Sequence, residues 1–145
     1  MLKDVYNQAT FVQVVDPVVT TADANSTSID RWDYPGEVTF AALIGESGDT
    51  LSGAVYIELE VEESADNSTF TDAADADLSN YVAGNNDGCF GVIDAAAEDD
   101  AVYSTQYTGE ARYVRAVINV TGTHTNGTPI GIVAIVAGKQ YAAGA

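Results

Sequence analysis

The stretch "YIELEVEESADNSTF", residues 56–70, places Glu58, Glu60 and Glu62 at every second position and Ile57, Leu59 and Val61 in the gaps. Side chains alternate between the two faces of a β-strand, so this pattern predicts a half-buried strand with its apolar face turned to a core. "SADNST" then supplies the turn formers that end it. Three carboxylates in a row admit a metal site, a catalytic acid pair or a solvated sheet face. Same-face neighbours on a strand lie about 6.6–6.8 Å apart. Coulomb's law in water makes each adjacent pair repel by roughly 0.6 kcal/mol, and by less in salt. That is tolerable in water and prohibitive in a core without partners. A glycosidase pair needs a cleft with two unlike environments, which one open strand does not provide. The expectation is a wet face.

The same period recurs along the chain. "EVTFAALIG" (37–45) sets Val38, Phe40, Ala42 and Ile44 on one side, and "RYVRAVINV" (112–120) does so with Val114, Ala116, Ile118 and Val120. "IGIVAIVAG" (130–138) is apolar on both sides, as expected of a strand covered twice or lying at a subunit contact. Shorter candidates are 10–19, 26–32, 89–94 and 102–108, with Pro17 demoting the first to an edge strand or kinked arm. Turn-forming clusters separate them, and 72–80 has room for one short helical turn. The fold class that follows is all-β: a single domain, 1–145, forming an antiparallel β-sandwich of jelly-roll type with about eight strands.

Composition bounds the partners. The 145 residues are 46% hydrophobic, enough for a real core. Five Lys+Arg against 22 Asp+Glu give a net charge of −17. Such a surface repels phosphate, which argues against nucleic acid and against anionic membranes. No apolar run approaches the roughly 20 residues of a membrane span. The opening "MLKDVYNQATF" has no apolar core of a secretory signal, so none is expected. The sequons at Asn25, Asn67, Asn119 and Asn126 therefore read as polar turn and strand chemistry.

Residues able to carry chemistry are few. His124, the one histidine, sits in a Thr/Asn/Gly turn and reads as an exposed loop residue. Cys89 is alone, which excludes an internal disulfide and a cysteine zinc site, and reads as a small buried side chain. Asp72, Asp75 and Asp77 are hard oxygen donors of the kind calcium prefers, but the EF-hand order is absent. Trp32 and Tyr34, in "IDRWDYPGE", are the best candidates for an aromatic sugar platform. No catalytic constellation and no cofactor are expected. A glycan-binding module and a calcium-stabilised domain of an adhesin or enzyme stand as alternatives.

Residues 48–77 and 107–139, with the opening 3–23, resemble small structural proteins encoded near the capsid genes of tailed phages and prophages, especially of alphaproteobacteria. The resemblance implies a capsid decoration, or cement, protein: a non-enzymatic β-sandwich on the outer face of an HK97-type shell, often trimeric, bound to the major capsid protein. It covers more than half of the chain, carries no catalytic residues over, and leaves the role of 83–100 open. In that setting the adhesive material is "IGIVAIVAG" and an arm over 1–20, with Lys3, Tyr6, Phe11, Arg112, Arg115 and Lys139 as contact candidates towards capsid or subunit. Arg112 or Arg115 is expected to pair with a carboxylate, within the fold or between subunits. The glutamate row is expected to face solvent, away from the shell.

Overall fold

A computed structural model of the chain describes residues 5–137. In chain order the elements are α1 (Val5–Gln8), β1 (Ala9–Thr20), β2 (Ala24–Asn25), β3 (Ile29–Asp30), β4 (Val38–Ile44), β5 (Tyr56–Ser64), β6 (Thr71–Asp72), a 3₁₀ turn (Asp75–Asp77), β7 (Cys89–Ile93), β8 (Ala101–Tyr107), β9 (Tyr113–Thr121) and β10 (Thr128–Ala137). Two antiparallel sheets pack face to face. One has the order β1-β10-β4-β8; the other runs β2-β9-β5-β6, with β3 also paired to β9 and β7 to β5.

The sandwich expected from the period-two pattern is present, with ten strands rather than about eight. The surplus comes from short pieces. β2 and β3 are two residues each and share one edge of β9, and β6 is a two-residue flap on β5. With β2 and β3 counted as one interrupted strand and β6 set aside, one sheet holds the first, eighth, third and sixth strands. The other holds the second, seventh, fourth and fifth, which is jelly-roll order. The interruption between β2 and β3 has a local cause: Thr27 donates its N–H to the carbonyl of Val14 in the opposite sheet at 3.0 Å. That crossing takes the chain off the β9 edge.

The core lies between the sheets. β4 and β10 supply Val38, Phe40, Ala42, Ile44, Ile130, Ile132, Ala134 and Val136, and β5 and β9 supply Ile57, Leu59, Val61, Val114, Ala116 and Ile118. All are buried, and each large one contributes about 1.5–3 kcal/mol. The stretch expected to be a contact arm is, from Ala9 onward, an integral edge strand bonded along β10, with register shifts on either side of Val15. Pro17 is accommodated there because an edge strand can spare an N–H.

Candidate functional site

β10 is apolar on both sides, but its sides differ in surroundings. Its inward residues complete the core, and its outward residues have no covering layer among the described residues. The register places outward side chains in three rows across the four-stranded sheet. Phe11, Ile135, Thr39 and Gln106 form the first row. Gln13, Val133, Ala41 and Ser104 form the second. Gly131, Leu43 and Val102 form the third, beside Val15 and Pro17 on β1. None of these side chains ionises, in a chain whose net charge is −17.

Leu43 is 51% exposed and Val102 66% exposed on this face. A groove of about 340 Å³ opens between β1, β10 and β4, lined by Gln13, Val15, Pro17, Leu43, Pro129 and Val133 among others. It exists because Gly131 has no side chain: a Cβ there would lie 3.1 Å from the Pro17 Cβ. The nearest charge on β1, Asp16, accepts a hydrogen bond from Gln13 Nε2 at 2.6 Å. The free edge of β8 is closed by the chain after the 3₁₀ turn: Ser79 donates its N–H to Gln106 O, and Asn80 Nδ2 to Ser104 O. This is how sheet proteins blunt an edge against unwanted pairing.

The other sheet has the opposite character, and here the expectation of a wet glutamate face is corrected. Glu58 is 8% exposed and Glu60 3%. The segment before β7 folds over them. Asn85 Nδ2 donates to Glu58 Oε1 at 2.7 Å, Asn86 Nδ2 to Glu60 Oε1 at 3.1 Å, and Asn119 Nδ2 from β9 to Glu60 Oε2 at 2.7 Å. Amide donors replace the water that these carboxylates lose, which is what makes the burial tolerable. Burial still pushes the Glu60 carboxyl above its ordinary range, as it does that of Asp72. Gly88 makes the covering possible: its φ is +80°, and a Cβ would meet the Val61 carbonyl oxygen at 2.5 Å. Among the described residues, Glu62 alone of the row is paired with a cation, Arg115, directly opposite on β9. Beyond the row, Ser64 and Asp66 collect the turn N–H groups of Asn67, Ser68 and Thr69, closing the strand as "SADNST" implies.

Arg112 and Arg115 both make the expected carboxylate pairs, and both lie within the fold. Arg112 forks onto Asp30 through Nε at 3.0 Å and Nη2 at 2.7 Å, which holds the Asp30 carboxyl below its usual range. Its guanidinium carbon lies 3.4 Å from the Trp32 ring centroid and 4.7 Å from that of Tyr113. Arg115 binds Glu62 at 2.6 Å and stacks 4.0 Å over Phe70. Arg31, which the sequence did not single out, ties the loop together by donating to the carbonyls of Gly36, Gly109 and Ala111.

The remaining candidates separate. Trp32 is 72% exposed, whereas Tyr34 packs against the core, so the two do not form one platform. Tyr6 and Phe11 are exposed near the start of β1. Lys3 and Lys139 lie outside the described residues. Asp72, Asp75 and Asp77 are not brought together as ligands: Asp75 accepts the Gly88 N–H, and no group of three His, Cys, Asp or Glu among the described residues is disposed to hold a metal. Cys89 is buried, as expected, and burial pushes its thiol up to about 11. His124 corrects the expectation of an exposed loop residue. Its side chain is fully buried, with Nε2 3.1 Å from the Thr121 carbonyl and Nδ1 3.9 Å from Asp49. Asp49 accepts the N–H groups of Thr125, Asn126 and Gly127, and so draws the 124–127 turn inward with its histidine. No helix among the described residues is long and apolar enough to cross a membrane.

No protein-family model matches the chain, and no curated protein does. Among solved structures it is similar to the SPBc2 prophage-derived protein YomS, at 12% identity over 90% of this chain and 93% of that one, with a TM-score of 0.45. It is also similar to the Clostridium thermocellum xylanase 10B CBM22-1–GH10 modules, a structure complexed with xylohexaose. There the identity is 12% and the TM-score 0.44, over 97% of this chain and 28% of the xylanase chain. The Macrobrachium rosenbergii nodavirus P-domain aligns over 89% of this chain and 90% of its own at 12% identity, with a TM-score of 0.29. At these values the likenesses assign no function.

Proposed function

We propose that this chain is a non-enzymatic structural protein of a phage particle: a decoration protein that docks the uncharged face of its four-stranded sheet onto the outer surface of an HK97-type capsid shell. The partner is the major capsid protein, the assembly on the shell is a homo-oligomer of trimeric type, and the acidic sheet faces solvent. One observation carries the reading. Three rows of outward side chains lack any ionisable group, on a chain with 22 Asp and Glu, and Asp16 borders them at the β1 edge. Interface centres are depleted of charge, and an exposed apolar sheet face marks a contact surface. The setting comes from the resemblance to phage structural proteins.

Co-sedimentation with empty shells tests it. The full chain pellets with shells at low and at high salt, because contact through a neutral face is little screened. Leu43→Asp and Val102→Asp, at exposed positions, keep the melting temperature of the parent and lose the pelleting. Failure of the parent to bind at any salt, or undiminished binding by both variants, contradicts the proposal.

A further inference from the structure

At the far end of β4 from the neutral groove lies a second concave surface, of about 230 Å³, lined by Arg31, Trp32, Pro35, Gly36, Glu110 and Arg112. We propose that it is a binding site for one ring of a neutral saccharide, stacked on the open face of Trp32.

Three observations carry this. The first is preorganisation. Trp32 is 72% exposed, yet it is not free to swing. Arg112 covers one indole face at 3.4 Å, Asp30 fixes Arg112 through two nitrogens, and the same Asp30 accepts the Trp32 backbone N–H at 3.0 Å. The loop beneath is fastened by Arg31 to three carbonyls. The opposite indole face is therefore presented to solvent already ordered, and a ligand stacking there avoids most of the ordering cost of binding.

The second is polar chemistry at the rim. The axial C–H groups of a pyranose present an apolar face to an aromatic ring, while its hydroxyls need donors and acceptors around the edge. Glu110 supplies an acceptor. Arg112 lies across the other indole face and is committed to Asp30 through Nε and Nη2, so it positions Trp32 and does not reach the stacked ring. The third is size and sign. The volume lies below that of a drug-sized pocket and suits a single ring. Arg31 and Arg112 roughly balance Asp30, Asp33 and Glu110 here, so the site carries little net charge and its surroundings, on a chain of net charge −17, favour a neutral sugar over an anionic one.

The site is independent of the docking face. β4 spans Val38–Ile44, so its two ends lie roughly 20 Å apart, and both surfaces can be occupied at once. A particle-bound copy with its neutral sheet on the shell still presents Trp32.

Native gels cast with soluble neutral polysaccharides (arabinoxylan, mixed-linkage β-glucan, galactomannan, dextran) test the proposal, with alginate as the acidic arm. Trp32 is the one tryptophan, so its emission reports the site directly. The expected result is retarded migration of the full chain in at least one neutral gel. Oligosaccharides of that polymer shift the emission. Trp32→Ala loses the retardation, Glu110→Gln weakens it, and Leu43→Asp retains it. No retardation in any neutral gel, retardation by alginate alone, or an unchanged response in both Trp32→Ala and Glu110→Gln overturns the proposal. The Leu43→Asp arm separates this outcome from failure of the docking surface.

Discussion

Asn119 on β9 donates its side-chain amide to the carboxylate of Glu60 on β5 at 2.7 Å, under a surface where Glu60 is 3% exposed. A buried acid held by amides and not by a cation is costly when ionised, because desolvation opposes the charge and amides compensate it incompletely. The acidic sheet is thus less a wet face than a covered one, roofed by the segment that carries Asn85 and Asn86.

This geometry fixes a pH dependence. The folded-state carboxyls of Glu60 and Asp72 are shifted upward, chiefly by burial. Each binds a proton more readily folded than unfolded, so its stabilising contribution is full below its ordinary value and is lost as pH rises through the shifted one. Asp30, Asp49 and Asp66 are shifted downward, each chiefly by a hydrogen bond: from Arg112, from the Asn126 N–H and from the Thr69 N–H. Their contribution is present above the ordinary value and is lost as pH falls through the lowered one. The melting temperature therefore peaks in mild acid. Glu60→Gln flattens the fall on the alkaline side of that maximum and leaves the acid limb unchanged. An unaltered slope in thermal melts across pH contradicts this.

Removing the donor has the opposite effect. Asn119→Ala leaves one oxygen of a buried carboxylate without its partner and costs about 1–3 kcal/mol in urea unfolding at neutral pH. It also steepens the alkaline fall. A cost within error shows that Glu60 is hydrated and the roof is open.

The roof depends on Gly88. A side chain there meets the Val61 carbonyl at a positive φ, so Gly88→Ala loses about 1–3 kcal/mol, by unfolding or by lifting the segment off Glu58 and Glu60. Hydrogen exchange at residues 82–89 distinguishes the two, and unchanged stability with unchanged protection refutes the role.

Much of this was legible in the sequence, and the losses have physical causes. β4, β5 and β9 show period two because one face of each meets the core, and that signal is local. The break between β2 and β3 is not local, since it arises from the Thr27 contact with Val14 across the sandwich. The burial of Glu58 and Glu60 was misread for the same reason. Alternation shows which face a residue is on, but not what folds over that face, and the covering asparagines lie 27 and 26 residues downstream of Glu58 and Glu60. His124 went astray likewise, drawn inward by Asp49 from a distant loop. For the docking surface, the double apolarity of "IGIVAIVAG" gave the central strand. The neutrality of its neighbours appears only once the register aligns Thr39, Ala41, Ser104 and Gln106 beside it.

Arg115 separates structural pairing from partner contact. It bonds Glu62 and stacks on Phe70 inside the fold, so Arg115→Ala costs about 1–3 kcal/mol of stability. Arg115→Lys recovers part of it by keeping the charge without the planar fork. Neither variant alters shell binding below its melting temperature. A binding defect in a folded Arg115→Lys variant places this residue at the capsid contact instead.

Orientation on the shell is the central claim, and cysteine protection measures it most directly. The native thiol, Cys89, is buried and weakly acidic, so it stays silent to maleimide. Leu43→Cys puts a reporter on the neutral face and Asp72→Cys one on the acidic face. On shell-bound protein the account predicts that the cysteine at position 43 is shielded while that at position 72 labels at its free rate. Shielding at 72 with free labelling at 43 would contradict it.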